Sequence, residues 1–152
     1  MAVAVSLAKV IEALEFATHE NSSYVNTATG EVRMVTHEEL HLAEEGDDDD
    51  LPTWQREAIV QAREVLGSED WTELPSKVDI HEWSIMDRFA SDTEGEIRAE
   101  LRDSLRGSGA FRCFKDAVFR LKMEDAWFEY RARALEDIAR GWLADHDLDA
   151  RA

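Results

Sequence analysis

The chain has 152 residues, with 34 Asp and Glu against 17 Lys and Arg, a formal charge of −17. A surface that acidic repels phosphate backbones over most of its extent, which argues against a general nucleic-acid binder. An apolar fraction of 44% argues against a disordered chain, and the single cysteine, Cys113, rules out an internal disulfide.

One domain covering residues 1–152 is expected from the length, with enough chain to bury a full core. The start, with Val3 and Val5, is apolar but lacks a basic region ahead of it, so no signal peptide is read. No stretch approaches a membrane span, and no membrane association is expected. With Cys113 alone, a cytoplasmic location is the expectation.

Leu7, Val10, Ile11 and Leu14 recur at helical spacing behind Ser6, an N-cap residue, and predict a helix over residues 6–18. Two β-branched arms, Tyr24 to Thr27 and Val32 to Val35, flank a turn containing Gly30 and predict a β-hairpin. From His37 the chain becomes acidic, ending in Gly46 followed by Asp47, Asp48, Asp49 and Asp50. Four adjacent carboxylates repel one another, so residues 46–50 are expected as a solvated flexible loop. Trp54, Ala58, Ile59, Ala62, Val65 and Leu66 form a second helical stripe, stopped at Gly67. Trp71 to Leu74, bounded by Pro75, is a short strand expected to join the hairpin.

Asp79 with Glu82 fits a capping box, and Val78 with Trp83 fits the hydrophobic staple around it. Ile80, Trp83, Met86 and Phe89 then mark a buried face. Thr93 with Glu96 repeats the capping pattern, and Ile97, Leu101 and Leu105 carry that helix to Gly107. Phe111, Phe114, Val118 and Leu121 fall on one face of the next helix. A last helix, residues 124–144, aligns Trp127, Tyr130, Ala134, Ile138 and Trp142. Residues 145–152 are polar and expected to fray. The fold class predicted is α+β and predominantly helical. It comprises a small antiparallel hairpin or three-stranded sheet packed with five or six helices.

Three patterns bear on chemistry. His37, Glu38 and His41 spell H-E-x-x-H, the zinc-hydrolase spacing. No rigid neighbour supplies a third ligand, and a solvated helix is the reading adopted, with no metal site. The aspartate run lacks the glycine and glutamate positions of a calcium loop, since Pro52 and Ala58 stand there. Cys113 has no histidine tied to it by any motif and is read as structural.

The third pattern is Gly107-Ser108-Gly109 ahead of Ala110-Phe111-Arg112-Cys113-Phe114-Lys115-Asp116. Free amides at a helix start, with Arg112 and Lys115 one turn on, suit an anion. Trp127, Tyr130 and Arg131 are expected to close that site by stacking and charge. Residues 107–142 hold seven basic and six acidic side chains, a sum of +1, while the remainder carries −18. Neither a Walker loop nor a dinucleotide fingerprint is present. A tight corner between two helices, with Arg112 paired to Asp116, is the competing reading.

The G-x-G-A-F-R-x-F-K-D run from Gly107 to Asp116 follows an E-W-x-I-M-x-x-F helix starting at Glu82 and Trp83. It precedes a helix that contains Trp127, Arg131, Trp142 and Leu143. In these features the chain resembles a bacterial family of uncharacterised proteins. The resemblance implies no reaction, cofactor or catalytic residue. The functional expectation is therefore a non-enzymatic, acidic, cytoplasmic interaction or regulatory protein, with a basic protein as one possible partner and no cofactor. The alternatives are a phosphate- or nucleotide-binding module or enzyme using the Gly107, Ser108 and Gly109 turn, or a nucleic-acid mimic.

Overall fold

Hydrophobic periodicity becomes an α+β, predominantly helical fold in the computed structural model, which describes residues 2–46 and 50–152. Residues 47–49 of the expected acidic loop lie outside the described residues. The chain, read as one domain from its length, divides by its contacts into two compact units. One comprises Met1–Asp79 with Ile138–Ala152, the other Ile80–Asp137.

The first unit opens with strand β1, Ala4–Ser6, running into helix α1, Leu7–Glu15. Ser6 caps that helix, its hydroxyl accepting from the Lys9 N–H at 3.3 Å. Strands β2, Asn21–Asn26, and β3, Val32–Thr36, form the predicted hairpin, antiparallel with Val25 opposite Val32. Asn26 Oδ1 accepts from the Ala28 and Thr29 amides, which bends the chain into the turn. The predicted third strand is β4, Trp71–Glu73, antiparallel to the other side of β2.

Strand periodicity gives this sheet two different faces. Val35, Tyr24, Arg33 and Trp71 share one face. Val35 and its neighbours pack there against Ala43, Ile59, Ala62 and Val65 of helices α2, His37–Glu45, and α3, Thr53–Leu66. Arg33 holds that face together. Its guanidinium donates to Glu31 at 2.5 Å, to Glu64 at 2.9 Å and to the Gln61 carbonyl at 2.9 Å, and it lies 4.4 Å from the Trp71 ring centroid. Ser23, Val32 and Met34 share the other face, against α1.

Two expectations for this unit are corrected. Trp54 does not join the α3 stripe; it is 70% exposed, and Ile59, Ala62 and Val65 carry the burial. Residues 145–152 do not simply fray. Leu148 is buried, and strand β5, Asp149–Arg151, pairs in parallel with β1.

Between Pro75 and Ile80 the short helix α4, Lys77–Ile80, is capped by Ser76 and Asp79, which exchange side-chain-to-amide bonds at 3.0 and 3.2 Å. The capping box therefore lies three residues earlier than the predicted Asp79–Glu82 pair. The predicted staple does not form, because Val78 and Trp83 are exposed.

The second unit contains helices α5, Glu82–Asp92, α6, Gly95–Ser104, and α7, Ala110–Arg120, together with the first part of α8, Glu124–Asp145. Ile85, Met86, Phe89, Leu101 and Phe114 are buried. Thr93 does not cap α6 with Glu96. Its hydroxyl instead donates to the Ala90 carbonyl at 2.6 Å, closing the end of α5. Along α8 the buried stripe is Trp127, Leu135, Ala139 and Leu143, rather than the Tyr130, Ala134, Ile138 and Trp142 line expected. Among the described residues, no helix is long and apolar enough to cross a membrane.

Candidate functional site

The glycine corner behaves as its composition dictates. Gly107 and Gly109 adopt φ of +76° and +74°, the left-handed region open to glycine. Gly109 is the N-cap of α7 and has no side chain to offer the first-turn amides. Gly107, Ser108 and Gly109 are all exposed.

Four residues on, the helix separates into an inner and an outer face. Ala110, Phe114, Ala117 and Val118 point inward and are buried. At 100° per residue, Arg112, Phe119 and Asp116 fall opposite that face, with Lys115 to one side and Phe111 next to buried Val118. Phe111 is 46% exposed and Phe119 61%. Among the described residues, neither Arg112 nor Lys115 has a hydrogen-bond or ion-pair partner. The expected Arg112–Asp116 pair does not form. Asp116, exposed one turn after Arg112, lines a cleft with Cys113, Arg120 and the α6 residues Glu100, Asp103 and Ser104. In that cleft Arg120 is paired with Glu100 at 3.3 Å.

The exposed surface of α7 therefore carries Arg112, Lys115, Phe111 and Phe119, with Asp116 one turn from Arg112. Residues 111–122 hold four Lys or Arg and one Asp, a sum of +3, so the remaining chain carries −20.

The three residues expected to close over the turn are committed elsewhere in the unit. Trp127 is 3% exposed and lies edge-on to Phe114 at 5.0 Å and to Phe89 at 5.4 Å, leaving no open face for stacking. Tyr130 lies edge-on to Phe89 at 5.3 Å. Burial pushes its phenol above the ordinary value, and the charge and hydrogen bond of Asp92 push it further. Arg131 donates from Nε to Glu82 Oε1 at 2.7 Å, with both side chains largely covered. Phe119 and Phe111 stand in their place as the available aromatics. Sequence patterning had assigned Phe111 to the core and left Phe119 out of every stripe. A helical wheel anchored on Phe114 and Val118 puts Phe119 outside but keeps Phe111 at the edge of the buried face, where it is half exposed.

The H-E-x-x-H segment forms α2, capped by Thr36 and Glu39 in a reciprocal box. His37 Nε2 lies 3.0 Å from Ser22 Oγ, and His41 Nε2 lies 3.2 Å from Glu45. Among the described residues, no three His, Cys, Asp or Glu side chains gather as metal ligands. A separate groove of about 250 Å³ lies between α1 and the hairpin, walled by Phe16, Met34 and Val32, with Lys9 and Glu12 also lining it. The chain matches no protein-family model, no curated protein and no solved structure.

Proposed function

We propose that this is a non-enzymatic interaction protein of the cytoplasm whose working surface is the outer face of α7. The observation carrying this reading is the coincidence of two exposed phenylalanines with two cations that have no partner among the described residues, along one helix of an otherwise acidic protein. Exposed aromatics bring hydrophobic contact area, and unpaired cations bring electrostatic selection. A negatively charged partner with apolar side chains satisfies both. The family resemblance in the Gly107 to Asp116 signature belongs to the same proposal and adds no reaction to it.

The test is recovery of bound proteins from native extract, comparing wild type with Arg112→Ala/Lys115→Ala. A partner retained by wild type and lost from the variant is the expected result. Equal recovery by both overturns the reading.

A second reading has its own observation. Gly109 leaves the first amides of α7 without a side-chain cap, so a phosphate-containing ligand is the alternative guest at that end. It predicts that phosphate or nucleotides raise the melting temperature through mass action, and that Arg112→Ala removes the rise.

A further inference from the structure

We propose that the free edge of β3 takes an extended, basic-flanked peptide segment of another protein as a fourth strand of its sheet. One apolar side chain of that segment sits in the groove between β3 and α1. This edge belongs to the first unit, and its role does not depend on the α7 reading.

Register exposes the edge. β3 has β2 on one side and no strand on the other. The Asn26 amide donates to the Glu31 carbonyl at 2.9 Å, and the His37 amide to the Glu20 carbonyl at 2.8 Å. Residues 31, 33, 35 and 37 therefore turn their backbone groups toward β2. Val32 and Met34 turn both N–H and C=O the other way. Among the described residues, none of these four groups has a hydrogen-bond partner. The Thr36 amide, next in the series, is taken by Glu39 Oε2 at 3.2 Å, which ends the free stretch. Natural edges are blunted by proline, a bulge or a covering element. β3 has no proline, and its pairing with β2 runs without a bulge from Val32 to Thr36. Two residues, each offering a donor and an acceptor, are what an added strand reads.

The groove supplies the side-chain pocket. Met34 of β3 and Phe16 at the end of α1 both line it, 55% and 60% exposed. Ser23 also lines it and is only 9% exposed. Among the described residues the Ser23 hydroxyl has no partner, and a buried hydroxyl left so costs free energy that a guest's polar group recovers. The groove holds about 250 Å³, below the usual range of about 300–1,000 Å³ for small-molecule sites. That size suits one inserted side chain, and a strand delivers one while its neighbours point away.

Charge selects the guest. Residues 1–79 and 138–152 hold 21 Asp or Glu and 7 Lys or Arg, a sum of −14. On the elements around the groove, Glu12 and Glu15 of α1 and Glu38 of α2 are exposed, with no side-chain partner among the described residues. Lys9 is the cation set against these three. Lysine or arginine flanks on the added strand are therefore attracted, and acidic flanks repelled. A second copy of this chain would bring −17 against −17, so the segment comes from a different protein.

The probe is a labelled synthetic peptide of about eight residues, an ordinary strand length, with leucine and serine alternating and lysine at both ends. Fluorescence anisotropy gives its affinity, and amide exchange reads Val32 and Met34. Its counterparts are N-methylated at alternate residues in one phase or the other, or carry glutamate in place of lysine. Binding with Kd of about 10–100 μM is expected, with slowed exchange at Val32 and Met34. Methylation in the phase that faces β3 abolishes binding, while the other phase keeps it. Glutamate ends weaken it by about tenfold. Phe16→Ala and Met34→Ala, which alter exposed side chains, each weaken it by about fivefold or more. Arg112→Ala/Lys115→Ala leaves it unchanged, so failure here and failure of the α7 reading are told apart. No binding, equal loss in both methylation phases, unchanged exchange at Val32 and Met34, or equal binding of the glutamate peptide overturns the proposal. So does wild-type affinity in both Phe16→Ala and Met34→Ala. Sedimentation of the protein alone as a dimer that protects the same two amides also overturns it, in favour of a second copy.

Discussion

Arg131 and Glu82 are joined by a 2.7 Å bond from Nε to Oε1, 49 residues apart in sequence and both largely covered. Arg112, on α7 of the same unit, has no such partner and is exposed. The two arginines therefore answer differently to removal. Arg131→Ala leaves a covered carboxylate without its counter-charge, and a lost charge-assisted hydrogen bond of this kind costs about 1.5–3 kcal/mol. Arg112→Ala removes nothing that the fold uses and stays within about 0.5 kcal/mol of wild type. Urea unfolding of the two variants measures the contrast. Equal destabilisation would count against the assignment of Arg131 to structure and Arg112 to the working face.

Gly30 is the position where the first unit tolerates no side chain. Its φ is +83°, and a Cβ there would lie 2.3 Å from the Ala4 carbonyl oxygen and 3.3 Å from the Val3 carbon beneath it. Gly109 has a similar φ of +74° but open space around it. Alanine at either glycine carries the left-handed penalty, about 1–2 kcal/mol. Only at Gly30 must the backbone of the β1 region also move. Gly30→Ala is thus expected to lower the unfolding midpoint clearly more than Gly109→Ala does. Indistinguishable midpoints would show that β1 gives way without cost.

Elements with strong periodicity or a local turn signal were legible in the chain. Ser6 as a cap, the hairpin around Gly30 and the short strand at Trp71 all form where residue chemistry places them. What escaped depends on information not local to a segment. Asp149, Ala150 and Arg151 have no strand character and become a strand through β1, more than 140 residues away. Two helix ends were hidden because their left-handed residues are Lys122 and Asp147, not glycine. At each, the next amide reaches back five residues, Met123 to Val118 and Leu148 to Leu143, the signature of a Schellman end. At the candidate site, Arg112 and Lys115 were readable as an exposed basic pair. Trp127 was readable as a core aromatic on its helical stripe, and its burial bears that reading out against the alternative of a lid over the turn. Phe89 and Phe114, its partners in space, settle that question only after folding.

The tail strand leads to a measurable expectation. Asp149 donates its amide to the Val3 carbonyl at 2.9 Å, and Leu148 is buried beside it. Amide exchange at Asp149 is expected to be slow, against the rapid exchange of a frayed terminus. Leu148→Ala removes a buried side chain and costs about 2–3 kcal/mol. Deleting residues 150–152, whose side chains are exposed, costs less. Rapid exchange at Asp149, or deletion more harmful than Leu148→Ala, would contradict the pairing.

Both tyrosines have phenols held above the ordinary value of 10.0, and this fixes the sign of the alkaline response. For Tyr24 burial is the main cause, with the charge of Glu73 adding to it and a bond with Ser22 opposing it. For Tyr130 burial again leads, followed by the charge and hydrogen bond of Asp92, while Arg88 opposes them. A group that keeps its proton longer when folded stabilises the fold fully below its unfolded pKa. That contribution disappears as pH rises through the folded value. Stability should therefore decline above about pH 10, the range in which unfolded phenols begin to ionise. Phenolate absorbance of the native protein should rise at higher pH than that of the urea-unfolded chain. Tyr130→Phe and Tyr24→Phe should each flatten the alkaline decline, and Asp92→Asn should bring the Tyr130 titration down toward its ordinary range. If native and unfolded phenols titrate together, neither burial nor the carboxylates Glu73 and Asp92 act on these rings as described.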